Sequence, residues 1–206
     1  MINDRMEQLN VNTPIEEWHN RILQSAGAND FIFFAKDISN AIWFATNYLQ
    51  FLSRNGNCEV VPLYGRLISD LESFIYQVNY ALPVGYKLKT DSNALYDLLL
   101  NFETEPFRRV VFWNDADSLF IKNRSDFEII FESLIISAYC NRNAISTIKD
   151  DGSRYIVDQR NLFFFNVIDS EHIMYLLQKE YYIPSIDDYP NQTYSRIDFT
   201  IVELVD

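Results

Sequence analysis

The chain has 206 residues, of which 48% are apolar and 16% are aromatic, and its formal net charge is −12. This length and apolar content suit one globular domain with a sizeable core and exclude a disordered or fibrous chain. The negative charge disfavours direct binding to nucleic acid or to an anionic membrane, and it suits a protein partner with a basic surface.

Cysteine usage and the first residues bear on the compartment. Cys58 and Cys140 lie far apart, which argues against a disulfide framework and favours a reducing environment. The N-terminus lacks the apolar core of a signal peptide, and the longest apolar stretch, residues 41–52, is interrupted by polar side chains. We therefore expect a cytoplasmic protein without a membrane span.

Predicted helices and strands alternate along the chain. Thr13 and Pro14 open the first helix well, as a cap and a first helical residue, and residues 1–29 are interpreted as an N-terminal helical extension. Ser39 is predicted to cap the second helix. Apolar runs and helical periodicity then predict strands at 31–34, 59–64, 110–113, 162–165 and 196–205, and helices at 39–52, 67–78, 93–102, 127–139 and 172–182.

This alternation predicts an α/β fold, with three α-β-α layers and a largely parallel five-stranded sheet. Asp151 and Gly152 stand between two short β-type runs, which predicts a small β-hairpin insertion over residues 143–160. No internal repeat or linker is evident, so residues 1–206 are predicted to form a single domain.

The segment between the first predicted strand and its helix is where a phosphate-binding loop would lie. Residues 35–40 contain no glycine, and Lys36 and Ser39 are not adjacent, although a phosphate loop needs glycines and a Lys-Ser/Thr pair. Asp37 would face the anionic phosphates. We interpret the segment as a helix cap with an exposed lysine, so ATP and Mg²⁺ are disfavoured as ligands.

A second polar segment follows the strand at 110–113. Asp115 and Asp117 are either ligands for a hard cation or residues that cap the next helix. Asn166 ends the following buried strand and is expected at the same sheet edge, within reach of Asn114 or Asp115, or else it only turns the chain into a loop.

The histidines and cysteines give weaker signals. Residues 169–172 are interpreted as a helix start and not as a catalytic cluster, because catalytic triads are assembled in space. His19 is interpreted as a surface or edge residue, and a zinc site is disfavoured.

Residues 108–120 resemble the second acidic motif of AAA+ ATPases, in which an apolar strand runs into Asp-Glu-Ala-Asp. In that alignment Asn114 replaces the metal-linked Asp, Asp115 replaces the catalytic Glu, and Asp117 keeps the last acid. Residues 162–166 are similar to the sensor strand of the family, with Asn166 at the polar sensor position, and residues 196–204 resemble its fifth strand. The resemblance covers roughly residues 30–206 and implies a P-loop NTPase-like fold.

The departures from the family imply lost chemistry. The glycine-rich loop is missing, Asn114 stands at the acid position, and no helical lid is expected after the fifth strand. Because phosphoryl transfer depends on positioning and charge stabilisation, ATP hydrolysis is not expected.

Three functions follow as hypotheses. The first is an inactive AAA+-like domain that serves as a protein-interaction or assembly factor. The second is an acidic inhibitor or immunity-type protein that masks a basic partner. The third is a metal-dependent enzyme that uses Asp115, Asp117 and Asn166. The sequence leaves the oligomeric state and the metal, if any, open.

Overall fold

The fold was analysed in a computed structural model. It describes residues 6–24, 30–54, 59–81, 89–99, 109–143, 151, 162–165, 170–184 and 194–206.

Parallel strands form the centre of the fold. One three-stranded sheet has the order β1-β8-β2 and another has the order β3-β4-β5. Strand β2 lies alongside β5, so the two sheets are neighbours. The strands are β1 (Met6–Asn10), β2 (Asp30–Ala35), β3 (Glu59–Tyr64), β4 (Arg109–Asn114), β5 (Leu162–Phe165) and β8 (Phe199–Val205). Within each of these two sheets the described pairings are parallel, so the strands of a sheet end on the same side, and these strand ends are here called the carboxyl edge.

Helices cover both faces of the strands. They are α1 (Ile15–Gln24), α2 (Ile38–Arg54), α3 (Leu71–Ala81), α4 (Ser92–Leu99), α5 (Asp117–Lys122), α6 (Arg124–Asn143) and α7 (Ser170–Gln178). Leu63, Trp113 and Ile201 pack with α3 to α7 on one face. Phe112 and Val202 pack with α1 and α2 on the other. The predicted three-layer α/β architecture is therefore confirmed, and apolar residues at successive strand positions are explained by burial on both faces.

The first strand was not predicted. Residues 6–10, assigned above to a helical extension, form β1 at the sheet edge and pair in parallel with β8, while α1 lies close to its predicted position. Only Leu9 of this strand is buried. The strand therefore lacks the alternating apolar pattern from which a strand is predicted. Its pairing with β8 holds it in the sheet.

The second difference lies near the C-terminal part of the chain. The helix predicted over 172–182 ends at Gln178, and β6 (Tyr181–Pro184) pairs antiparallel with β7 (Tyr194–Ile197). Tyr181 belongs to the core, so burial of this ring favours the extended conformation over another helical turn. The strand predicted over 196–205 is divided at Asp198 into β7 and β8, so the described residues hold eight strands where five were expected.

Two further observations complete the fold. The hairpin predicted over residues 143–160 lies almost entirely outside the described residues. Within the described part of the chain, no helix is long and apolar enough to cross a bilayer.

Candidate functional site

Two residues separate β2 from helix α2, and one of them caps the N-terminus of the helix. Asp37 Oδ1 accepts a hydrogen bond from the Ser39 backbone N–H at 2.9 Å, and the Asp37 carbonyl accepts from Ala41 at 3.3 Å. The prediction that Ser39 caps α2 is therefore wrong: Asp37 is the cap, and Ser39 donates to it. Hydrogen bonds from the Ser39 side chain and backbone lower the pKa of the Asp37 carboxyl. A carboxylate thus occupies one of the amide donors that a helix N-terminus offers to a phosphate.

Lys36, the other residue of the short β2–α2 connection, is engaged by a buried acid. Its Nζ lies 2.9 Å from Glu203 Oε1, and Gln8 Nε2 donates to Glu203 Oε2 at 2.9 Å. The Lys36 side chain is 81% exposed, as predicted, whereas that of Glu203 is only 7% exposed. Hydrogen bonds from Lys36 and then Gln8 lower the pKa of the Glu203 carboxyl. Lys36 and Gln8 therefore compensate a charge that would be costly to bury alone.

The polar segment after β4 makes its own ionic contact. Asp115 has a φ of 50°, in the left-handed region that non-glycine residues seldom adopt. Its Oδ2 lies 3.2 Å from Arg66 Nε. The residue at the N-cap of α5 is Ala116, without a side-chain cap, and Asp117 lies in the first helical turn. The interpretation of these acids as side-chain caps is therefore wrong, although Asp117 is well placed for the helix dipole.

The ends of β3 and β4 touch through their backbones. Tyr64 pairs with Asn114 in the register of the two strands. A Cβ added to the next residue, Gly65, would overlap the carbonyl oxygens of Asn114 and Asp115. Only glycine fits this approach, and it brings Arg66 to the Asp115 carboxylate.

Three of the predicted site residues, Lys36, Ser39 and Asp115, have partners within the chain. Lys36 and Ser39 follow the carboxyl end of β2, Asn114 is the last residue of β4, and Asp115 and Asp117 follow it. Asn166 lies outside the described residues. Among the described residues there is no group of three or more His, Cys, Asp or Glu side chains that could hold a metal.

The sequence analysis missed Glu203, Gly65 and Arg66. Glu203 carries a usable signal, because an acid inside an apolar strand needs a partner. Gly65 and Arg66 form a weaker signal, a glycine and a cation directly after a strand.

The histidines have structural surroundings. His19 Nδ1 lies 3.1 Å from the Tyr48 hydroxyl, in agreement with an edge position on α1. His172 is buried, and its ring centroid lies 4.3 Å from that of Phe120. Neither contact brings a serine, a cysteine or a carboxylate to a histidine.

Comparison with known proteins shows that the fold of this chain is similar to part of a solved structure. No family model and no curated protein matches the sequence. A structure of the Aeropyrum pernix ORC2 protein in ADPNP–ADP complexes matches 94% of this chain and 46% of that chain, with 16% identity and a TM-score of 0.51. The ADP form of the same protein matches 92% and 46%, with 16% identity and a TM-score of 0.49.

This chain therefore spans about half the length of the ORC2 protein that it resembles. The likeness to the ADPNP–ADP structure shows that the chain shares an α/β fold with part of that ORC2 protein, and an α/β fold is what the sequence predicts. At this level of identity it shows the fold alone.

Proposed function

We propose that this chain is a catalytically inactive AAA+-like domain that acts through protein contacts, as an interaction or assembly factor. The observation that carries the proposal is the Asp37 carboxylate on the N-terminus of α2. A phosphate-binding helix presents free amide groups and a positive dipole end to its ligand. Here an anionic side chain of the same connection takes that place, and it would repel a triphosphate.

The ionic contacts on either side of Asp37 support the same conclusion. To bind a phosphate, Lys36 would have to leave Glu203, which lies on the central strand β8 and whose side chain is only 7% exposed. At the end of β4, Asn114 supplies an amide instead of an acid, and Asp115 engages Arg66. Among the described residues that follow β2 and β4, the groups needed for phosphate binding, metal binding and water activation are therefore replaced or otherwise engaged.

A titration with a fluorescent ATP analogue and Mg²⁺ at low salt tests whether the carboxyl edge binds a nucleotide. We expect no saturable binding by the wild type, and the same result for Lys36→Ala and for the control Lys89→Ala, which changes an exposed lysine ahead of α4. Saturable micromolar binding that is lost in Lys36→Ala and kept in Lys89→Ala would refute the proposal. Circular dichroism confirms that each variant is folded.

The net charge of −12 favours, as a second candidate, an acidic inhibitor or immunity-type protein that masks a basic partner. Co-purification with a basic partner, lost as the salt concentration rises, supports this candidate. A monomer in native lysate opposes it. The metal-dependent enzyme is not proposed further, because the Asp115 carboxylate lies against Arg66.

A further inference from the structure

A groove of about 590 Å³ lies between the start of α1 and the outer face of α2. Trp43 and Phe51 contribute aromatic rings to it, and Asn47 and Gln50 contribute amide groups. None of its lining residues belongs to the carboxyl-edge site around Lys36 and Asp115. Its volume lies within the range of about 300–1,000 Å³ that ligand sites occupy.

The groove is held in shape before any ligand arrives. The Phe51 ring packs against His19 at 4.8 Å between centroids and stacks with Tyr48 at 6.3 Å. Asn47 Nδ2 donates to the Trp43 carbonyl at 2.7 Å, which fixes the amide within α2. Because this wall is already ordered, less conformational entropy is lost when a ligand binds.

The side chains of the groove indicate the chemistry of the ligand that fits it. Trp43 lines the groove and is 43% exposed, so part of its side chain is open to a ligand. Amide side chains such as those of Asn47 and Gln50 hydrogen-bond readily to peptide groups. Glu16 places a negative charge on the α1 wall, and Arg54 places a positive charge on the α2 wall.

We propose that this groove binds a short peptide segment of a partner protein. The segment places an apolar side chain against Trp43 and Phe51, a basic side chain toward Glu16 and an acidic side chain toward Arg54. A second copy of this chain fits less well, because two molecules that each carry a charge of −12 repel one another. This inference rests on the proposed function as an interaction domain, to which it adds a surface and a class of partner.

The test uses a random 12-residue peptide library on phage, selected against the wild type and against Trp43→Ala. The matched control is Tyr80→Ala, which removes an aromatic ring that is 91% exposed on α3, outside the groove. We expect selected peptides to share an apolar residue flanked by opposite charges. Fluorescence polarisation should show binding to the wild type and to Tyr80→Ala, and at least about tenfold weaker binding to Trp43→Ala, as for a hot-spot aromatic residue.

Arg54→Glu serves as a second variant, because this exposed side chain at the end of α2 can be changed without disturbing the core. Its binding should weaken most for peptides with an acidic residue. The proposal is overturned if no peptide is selected by the wild type, or if Trp43→Ala binds the selected peptides equally well. A dimer in equilibrium sedimentation that Trp43→Ala dissociates would overturn it in favour of self-association. The nucleotide titration on the same proteins tests nucleotide binding at the carboxyl edge, and the peptide experiment tests the groove. A failure of the proposed function can therefore be distinguished from a failure of the peptide proposal.

Discussion

Lys36 and Glu203 form the contact whose disruption should be most informative for stability. Lys36→Ala leaves the Glu203 carboxylate, 7% exposed, with Gln8 as its remaining recorded hydrogen-bond donor. Loss of one partner from a fully buried pair costs about 3–5 kcal/mol, whereas exposed pairs contribute at most about 1 kcal/mol. Because Lys36 itself is 81% exposed, we expect an intermediate loss, about 1–2 kcal/mol.

A double-mutant cycle with Glu203→Gln separates the ion pair from other effects of truncating Lys36. Glu203→Gln removes the charge and keeps the shape, so it should cost less than Lys36→Ala, and Lys36→Ala should cost almost nothing once Glu203→Gln is present. Urea unfolding followed by circular dichroism gives the four free energies of unfolding. Additive losses, with a coupling energy below about 0.3 kcal/mol, would refute this account of the pair.

The same pair predicts a pH dependence. Because the pKa of Glu203 is lowered in the folded state, its contribution to stability is complete above the unfolded pKa, near about 4.3. The contribution is lost as the pH falls through the lower folded pKa. The difference in stability between the wild type and Lys36→Ala should therefore shrink below about pH 4, and a difference that grows there would contradict the assignment.

Three other changes test the contacts around the sheet. Gly65→Ala should lower the free energy of unfolding by at least about 2 kcal/mol, since the new methyl group overlaps the backbone at the end of β4, and unchanged urea unfolding would contradict that close approach. Asp37→Ala should shift the urea midpoint to lower concentration, while Asp37→Ser, which keeps a capping oxygen, should shift it less; equal shifts would argue against capping. Tyr175→Phe should raise the pKa of Glu128 toward its ordinary value, because the Tyr175 hydroxyl is the largest cause of the lowering, and an NMR titration that finds the pKa unchanged would contradict this.

The sequence predicted the layers because local signals were strong there. The apolar runs of β2 and β4 are buried on both faces, so their pattern alone marks them as strands. Strand β1 has no such pattern and depends on its pairing with β8, which no local window can reveal. The type of an element could therefore be predicted where the burial of its own apolar residues determines it. It could not be predicted where pairing with a distant strand determines it.

The site divides in the same way. The positions of Lys36 and Asp115 at the carboxyl edge follow from parallel strands and were predicted. Their partners, Glu203 and Arg66, come from other strands and loops, so only the tertiary structure pairs them. The choice of Asp37 over Ser39 as the cap depended on where α2 begins, and boundaries of this kind shift by one or two residues with the backbone geometry of the turn.

The polar residues at the carboxyl edge contact partners within the chain, where the residues of a nucleotide site would contact a ligand. We interpret these contacts together and not as separate losses of nucleotide-binding residues. A nucleotide site leaves amide groups, a lysine and an acid unsatisfied until its ligand arrives. Here Ser39 donates its amide N–H to Asp37, and Lys36 and Asp115 meet opposite charges within the chain. A ligand would have to displace several of these contacts together, so a single substitution at Asn114 would leave the other obstacles in place. Under the proposed function, the described polar groups at this edge need no ligand, and the fold supports an interaction surface elsewhere, which we propose to be the groove beside α2.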